Sequence, residues 1–293
     1  MRCRSLRSVD GASFGSAFGD VDLSADPDAL GEYLDRVRAV PAVRAAKQES
    51  FELLGAAPGR CVLDLGCGHG DDVRELARIV GADGRVVGVD TSKVLIDRAR
   101  QRTPPEQHQV EFVCANANAL PFADGSFDAC RADRTIQHVA DADVALAELV
   151  RVIRPGGVLV VSEMLNDLDV AGDEPDPIAR EVFGRFWSDE ERRGWIGFLL
   201  PPLLGQAGFI EIRPHRRRER LTSFRDAAVM LQLPELCEAA VRIGVVEQAA
   251  AGIWLADVER RFGAGRAALE SEFFHITARR PEARGTATGE GPA

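Results

Sequence analysis

Residues 61–72, CVLDLGCGHGDD, constrain the fold more than any other stretch of the sequence. The apolar residues at its start predict a short buried strand, and apolar residues at helical spacing follow its end. Between them, Gly66, Gly68 and Gly70 occupy alternate positions. A strand that turns through glycines into a helix brings bare backbone and a helix N-terminus close to a bound ligand. The stretch therefore predicts an α/β fold with a ligand site at this turn.

The spacing of the glycines and the charges beside them indicate the class of ligand. A dinucleotide-binding turn has the pattern G-x-G-x-x-G, whereas this turn has G-x-G-x-G. Asp71 and Asp72 open the helix where a pyrophosphate would otherwise lie. Two carboxylates there repel phosphate and suit a ligand that carries positive charge. A nicotinamide oxidoreductase is therefore disfavoured, although a generic glycine-rich turn of another α/β protein remains an alternative.

The run Asp-Leu-Gly-Cys-Gly-x-Gly, from Asp64 to Gly70, resembles motif I of the class I S-adenosylmethionine (SAM)-dependent methyltransferases. The resemblance implies an α/β, Rossmann-like sheet of seven strands with the last strand antiparallel, a helical N-terminal lid and helical insertions. It also implies SAM as the cofactor, with Asp64, Gly66, Cys67 and Gly68 at its amino-acid part.

An acid at the end of the second predicted strand adds a further ligand contact. Asp90 follows an apolar strand, and Thr91 or Ser92 caps the next helix. A rigidly held carboxylate can accept hydrogen bonds from both hydroxyls of a ribose. We therefore expect Asp90 and Thr91 at the cofactor, with an N-cap role for Asp90 as the alternative.

The third predicted strand runs into a turn that resembles the adenine-binding turn of the same family. Asn116 and Ala117 are followed by Leu-Pro-Phe, residues 120–122. The family usually has aspartate where Asn116 stands, and an amide oxygen accepts from the adenine amino group without the assistance of charge. Asn116 and Ala117 are therefore expected at the adenine, with Ala117 contributing its backbone.

The fourth predicted strand ends in Arg134, followed by Gln137 and His138. Ligands of open α/β sheets bind beyond the carboxyl ends of the strands, so these side chains are expected near the reacting centre. We place Arg134 at the cofactor. His138 is the candidate catalytic base because imidazole titrates near neutrality. Alternatively His138 only packs or caps, since alignment with the sulfonium can suffice for methyl transfer.

Three further strands are predicted in the second half of the chain. Val158–Ser162 follows a helix-stopping Arg-Pro-Gly-Gly sequence, and Phe209–Arg213 and Ser271–Arg279 come later. The basic run His215–Arg220 lies at the end of the second of these strands. It is interpreted as a solvated sheet edge rather than as a patch for nucleic acid.

The expected organisation is one domain with flanking segments. Residues 1–27 form a flexible N-terminal segment, for which disorder and a flap over the ligand are equal alternatives. Residues 28–280 form the methyltransferase domain, with helical cap insertions at about 164–200 and 222–268. The tail, residues 281–293, is expected to be disordered. Tyr33, on a helix before the first strand, faces either the site or solvent.

Composition excludes several classes of partner. The chain of 293 residues has a net charge of −10, which argues against a phosphate backbone as partner. Its six cysteines have no metal-ligand spacing, so no metal is expected. No apolar run reaches the length of a membrane span and no secretion signal is evident, so we expect a cytoplasmic protein with no membrane partner.

The combined features predict methyl transfer from SAM to O, N or C of a small, partly apolar acceptor. Asp-Arg-x-x-Gln-His-Val from Asp133 and the Arg-Pro-Gly-Gly sequence resemble the ubiquinone/menaquinone-type, small-molecule branch of the family. This implies natural-product or quinone-like biosynthesis. A non-methylating cyclisation or rearrangement on the same SAM-binding fold is the alternative, and a homodimer and a monomer both remain open.

Overall fold

A seven-stranded mixed sheet forms the centre of the computed structural model, which describes residues 22, 27–170, 178 and 195–282. The strands lie in the order β3-β2-β1-β4-β5-β7-β6. Their bounds are β1 Cys61–Leu65, β2 Arg85–Asp90, β3 Val110–Cys114, β4 Phe127–Asp133, β5 Ile153–Val170, β6 Ile210–Leu221 and β7 Ala267–Arg279. The α-helices are α1 Pro27–Ala39, α2 Pro41–Leu54, α3 Asp71–Val80, α4 Lys93–Arg102, α5 Ala142–Val152, α6 Trp195–Ala207, α7 Phe224–Leu231, α8 Leu233–Arg242 and α9 Gln248–Gly263.

The first five strands are parallel, and β7 is antiparallel to both of its neighbours, β5 and β6. Helical crossovers cover both faces of such a sheet, which is why the central strands are apolar on both sides. The predicted Rossmann-like fold with an antiparallel last strand is confirmed.

Helices pack in three groups against the sheet. Apolar residues of α2, α3 and α4 cover one face of β1 and β2. Residues of α5 and α6 cover the other face. A third cluster joins α1 to α7, α8 and α9 over the long β7. The predicted N-terminal helical lid and the helices of the interval 222–268 are therefore present.

Strands β5 and β6 extend beyond the bounds that the sequence predicted. Residues 164–170, expected to begin a helical insertion, instead continue β5 and pair with β7 as far as Val170 and Ala267. The basic run lies inside β6 rather than at its end, since β6 pairs with β7 up to Leu221. The reason is the same in both cases: the antiparallel partner supplies hydrogen bonds that local sequence does not reveal. β6 is the edge strand, as interpreted.

Several predictions lie outside the described residues. These are the flexible segment apart from Asp22 and residue 27, the insertion at 171–177 and 179–194, and the tail from residue 283. Within the described part of the chain, no helix combines the length and the apolarity that crossing a membrane requires.

Candidate active site

The glycine turn after β1 has the geometry that its sequence predicts. Gly66, Gly68 and Gly70 have φ values of 71°, 55° and 81°, a region that favours glycine. A Cβ at Gly66 would overlap the side chain of Thr135, and one at Gly70 would lie 2.6 Å from the ring of Phe112. The backbone therefore passes close to the protein interior on one side, which leaves its other side for a ligand.

Helix α1 covers this turn. His69 Nε2 lies 3.3 Å from the carbonyl oxygen of Gly31, and a Cβ at Gly68 would meet Leu34 at 3.4 Å. Tyr33, on the same helix, is buried, and burial raises the pKa of its hydroxyl. The alternative of a tyrosine exposed to solvent is therefore wrong.

Each carboxylate oxygen of Asp90 accepts a hydrogen bond from a backbone amide. One oxygen accepts from the Gly68 amide at 2.9 Å and the other from the Ser92 amide at 2.9 Å. Ser92, not Asp90, caps α4, since its Oγ accepts from the Leu95 amide. A carboxylate has about four lone-pair sites, so two backbone bonds leave capacity for two ligand hydroxyls. Thr91 is exposed beside it.

Asp22, from the N-terminal segment, contacts the N-terminus of α4 beside Asp90. Its carboxylate accepts from the Lys93 amide at 2.9 Å and from the Ser92 hydroxyl. An acid is favourable at a helix N-terminus because it satisfies unpaired amides. Asp22 therefore lies next to the end of β2, while the flap itself stays a prediction.

The predicted adenine turn is present after β3. Asn116 is exposed, and its Oδ1 accepts from the Asn118 amide at 2.9 Å. This side-chain turn fixes the loop and leaves the Asn116 amide NH₂ and a second lone pair for a ligand. Ala117 is buried beneath it.

A buried arginine that sequence reasoning missed lies behind the glycine turn. Arg131, on β4, has a side chain only 1% exposed. It donates to Asp64 at 2.9 Å, to Asp72 at 3.0 Å and to Asp133 at 2.6 Å, and its Nε donates to Ser50. The signal that could have found it is a charged residue inside a strand buried on both faces, which requires charged partners.

Two further cations complete this network. Lys47 lies between Asp72 and Asp133, at 2.5 and 2.6 Å, and Arg38 pairs with Asp72. Burial alone would raise the pKa of Asp72 and of Asp133, but the surrounding cations outweigh it and lower both. For Asp64, burial outweighs Arg131, so its pKa rises to about 6.

The acids that open α3 therefore face protein cations, which corrects the idea that they repel or attract the ligand directly. Asp71 pairs with His69 and Arg74, and these partners outweigh burial and lower the pKa of Asp71 to about 2. The charge of Asp72 is compensated by the network. The sequence could not reveal this because the cations lie on other elements.

Arg134 and His138 follow β4 as expected. Arg134 has a φ of 50°, and its amide donates to the Ser162 carbonyl at 2.7 Å. His138 ends a short 3₁₀ turn, Ile136–His138, with Nε2 3.2 Å from Gln137 Nε2. Burial, and then the positive charge of Arg134, lower the pKa of His138 to about 4, so its imidazole is uncharged at neutral pH.

A cavity of about 290 Å³ lies beside the end of β4, between α2, β5 and β7. Apolar side chains and cations share its wall with a serine and a histidine: Val43, Ala46, Lys47, Arg131, Asp133, Arg134, Ser162, Glu163, Met164, Phe273 and His275. Of the predicted site residues, Arg134 alone lines it. His275 was missed because only the pairing of β5 with β7 brings it to this place.

The geometry fits a nucleoside ligand along β1 and β2. The backbone turn of Gly66, Cys67 and Gly68 lies at the end of β1, and Asp90 at the end of β2 with hydroxyl-accepting capacity. The Cys67 side chain is buried, so Cys67 offers its backbone rather than its thiol to a ligand at the turn. Its amide donates to the Val89 carbonyl oxygen at 3.0 Å. Asp64 lies behind this turn at 2% exposure. A direct contact of Asp64 with the ligand stays a prediction.

Comparison with known proteins gives the same assignment. Residues 63–161 match the family model described as a methyltransferase domain. An uncharacterised 37.1 kDa protein in transposon TN4556 of Streptomyces fradiae is 39% identical, over 86% of this chain and 72% of that protein. A ubiquinone/menaquinone biosynthesis C-methyltransferase of Hahella chejuensis is 38% identical, over 41% of this chain and 49% of its own length. The chain thus spans about half the length of that named relative.

A solved structure resembles the fold as well. The YcgJ protein of Bacillus subtilis superposes with a TM-score of 0.54 at 14% identity, covering 82% of this chain and 100% of that one. At this identity the likeness concerns the fold alone.

Proposed function

Because the chain belongs to the class I SAM-dependent methyltransferases, we propose that it transfers a methyl group from SAM to a small, partly apolar acceptor. The observation that carries the proposal is the pairing of the glycine turn with Asp90, whose carboxylate holds the turn through the Gly68 amide at 2.9 Å. One group thus sets the loop conformation and offers remaining lone pairs to a ribose.

We assign the remaining cofactor contacts along the carboxyl ends of the strands. The backbone of Gly66, Cys67 and Gly68 would hold the amino-acid part, with Asp64 behind it. Arg134 would pair with the carboxylate of that part, since guanidinium suits carboxylate geometry. Thr91 would lie beside the ribose. A further pair, Asn116 and Ala117, would receive the adenine.

When bound, SAM supplies a methyl group activated by a sulfonium. The contribution of the protein is alignment, which can provide much of the rate of a bimolecular transfer. His138 is the candidate proton acceptor that the sequence predicts; its pKa of about 4 keeps it uncharged but makes it a weak base at neutral pH.

The cavity beside β4 supports a small, partly apolar acceptor. Val43, Met164 and Phe273 give it apolar walls, and Lys47 and Arg134 add positive charge. An acceptor with an apolar ring and an electron-rich oxygen, nitrogen or carbon fits such a wall. The printed name of the Hahella relative supports quinone-like biosynthesis as the setting.

A small molecule is favoured over nucleic acid as the partner. The arginines of β6 are paired with acids: Arg216 and Arg218 with Glu272, and Arg220 with Glu270. An edge strand neutralised in this way is a poor phosphate-binding surface. We propose a cytoplasmic enzyme on the basis of composition. Light scattering after size-exclusion chromatography decides between monomer and homodimer.

The ribose assignment is tested by calorimetry with S-adenosylhomocysteine. Asp90→Ala removes every acceptor oxygen, and we expect binding to weaken by about a hundredfold, the loss of two charge-assisted hydrogen bonds. The matched Asp90→Asn keeps one oxygen and should lose less. Circular dichroism checks that both variants fold.

A ligand without ribose hydroxyls separates this role from the holding of the loop. The 2′,3′-dideoxy analogue of S-adenosylhomocysteine should bind wild type and Asp90→Ala with similar affinity. If Asp90→Ala weakens both ligands equally, Asp90 acts on the loop and the ribose assignment is refuted. Release of S-adenosylhomocysteine from SAM during turnover establishes methyl transfer, and product without that release indicates the cyclisation or rearrangement alternative.

A further inference from the structure

The described residues form a polar row across three neighbouring strands beside the cavity. Asp133 of β4 is opposite Ser162 of β5, and Ser162 is opposite His275 of β7. Residues in register on adjacent strands place their side chains next to each other on one face. Ser162 Oγ and His275 Nδ1 lie 2.8 Å apart. The strand pairing therefore builds one continuous polar surface from three distant parts of the sequence.

The other nitrogen of this histidine has no hydrogen-bond partner among the described residues. His275 is only 2% exposed, and its Nε2 is buried. A buried polar atom without a protein partner costs free energy, so it is usually satisfied by a ligand or an ordered water. His275 lines the cavity, so its imidazole and the space beside it belong to one site.

The rest of the cavity wall describes the ligand that this nitrogen would meet. Phe273 and Met164 are apolar, Lys47 and Arg134 are cationic, and Asp133 and Glu163 are acidic. The empty space between these side chains is about 290 Å³, counted out to the open solvent at its mouth, and its apolar side suits an acceptor with an apolar ring. A hydroxyl on such a ring would donate to a ring nitrogen, and the oxygen would lie near positive charge.

We propose that His275 binds the acceptor through a ring hydroxyl and accepts its proton at Nε2, with Ser162 as the positioning residue. In this arrangement His275 Nδ1–H donates to Ser162 Oγ, which leaves the lone pair of Nε2 for the ligand. The O–H bond of the acceptor breaks, an N–H bond forms at Nε2, and the electron pair stays on the acceptor oxygen. Arg134 stabilises the resulting anion, since Lys47 is already paired with Asp72 and Asp133. This assignment deepens the proposed function. It rests on that function only for the methylation of the deprotonated oxygen.

The charges around His275 suit this role. Burial lowers the pKa of its imidazole and keeps it uncharged, while Asp133 and Glu49 act in the opposite direction and Arg131 and His215 reinforce the lowering. The carboxylate of Asp133, next but one in the row, stabilises the imidazolium once the proton has arrived. An uncharged base that gains a proton beside an acid is the usual arrangement for general base catalysis.

The test uses the whole protein and two fluorinated probes, 4-fluorophenol and 4-fluoroanisole, which differ in the hydroxyl. Binding is followed by ligand-observed fluorine NMR, with and without saturating S-adenosylhomocysteine. Wild type should bind the phenol about tenfold more tightly than the methyl ether, the effect of one buried hydrogen bond. His275→Gln should lower that ratio, since an amide oxygen accepts a hydrogen bond more weakly than an imidazole nitrogen and cannot take up the proton.

The matched control is His215→Gln, which changes the histidine on the adjacent strand β6. His215 is opposite His275 on β6, but its Nε2 lies 3.3 Å from Thr277 Oγ1 and it does not line the cavity. This variant should keep the wild-type preference for the phenol. Ser162→Ala gives a second measurement if His275→Gln folds poorly: the phenol preference should fall, and the nitrogen shifts of His275 should report a changed tautomer.

The outcomes separate this inference from the proposed function. Equal binding of phenol and ether by wild type, or an undiminished preference in both His275→Gln and Ser162→Ala, overturns the role of His275 whether or not SAM binds. A phenol preference lowered in those variants supports it, even from a protein that releases no S-adenosylhomocysteine. In that second case only the proposed methyl transfer fails.

Discussion

Replacing Arg131 with methionine tests whether the buried charge network holds the core of the sheet together. The side chain is 1% exposed and donates to three carboxylates, at 2.9, 3.0 and 2.6 Å. In the variant, Lys47 and Arg38 remain close to Asp72, but Asp64 loses its cation. Removing one partner of a buried ion pair costs about 3–5 kcal/mol, because the other charge is left without compensation. We expect a loss of about that size in the free energy of unfolding at pH 8.

The pH dependence of this loss has a definite sign. Burial already raises the pKa of Asp64 to about 6, and without Arg131 the pKa rises further. A carboxyl with a raised folded pKa lowers stability as pH rises from its unfolded pKa to its folded pKa, so the variant continues to lose stability above pH 6, where wild type no longer does. The deficit of Arg131→Met should therefore be smaller at pH 5.5 than at pH 8.

Urea denaturation followed by circular dichroism measures both effects, with the m-value as a check on the transition. The matched control is Arg154→Met, the same change at a side chain that is 54% exposed and paired with Asp128. A surface pair of this kind contributes about 0–1 kcal/mol. The double variant Arg131→Met/Asp64→Asn should recover part of the loss, since it removes the uncompensated acid. A deficit below about 1 kcal/mol for Arg131→Met, or strict additivity with Asp64→Asn, would refute the reasoning.

Two further predictions concern titratable groups near β4. Burial raises the pKa of Glu163 well above its ordinary value of 4.5, so its carboxyl destabilises the fold as pH rises above that value. Glu163→Gln should then have a higher urea midpoint than wild type at pH 8 and nearly the same midpoint at pH 4.5; equal midpoints at pH 8 would contradict this. His138→Ala should lower turnover with SAM affinity nearly kept, and wild-type turnover in this variant would remove the role of base. Since its pKa falls from 6.5 to about 4, His138 should also cost wild type stability as pH drops through that interval, and His138→Ala should lose less there.

Local sequence accounts for the half of the site that binds the cofactor. Gly66, Gly68 and Gly70 predict the strand–turn–helix unit because few other residues adopt a positive φ. Asp90 and Asn116 follow predicted strands, and in a parallel sheet the carboxyl ends of strands meet at one edge. Each of these inferences uses neighbours in the chain, so the order of residues is sufficient for it.

The charge network could not be derived in this way. Arg131 donates to Asp64 and Asp72, which lie 67 and 59 residues away along the chain. Alternation along a strand assigns a side chain to a face of the sheet, but it does not identify the acidic residue that packs against that face. The sequence therefore predicted a ligand-facing role for Asp72, whereas packing turned it toward Lys47 and Arg131.

What the sequence by itself determined is the family, the α/β order of the elements and the turn beside which we propose that the nucleoside binds, because these follow from spacing and backbone preference. Only the tertiary structure decided how far β5 and β7 pair, up to Val170 and Ala267. That pairing brings Ser162 and His275, 113 residues apart, to a distance of 2.8 Å. Long antiparallel pairing is set by cross-strand packing and hydrogen bonds rather than by local propensity, so the proposed acceptor side of the site emerges only in the folded chain.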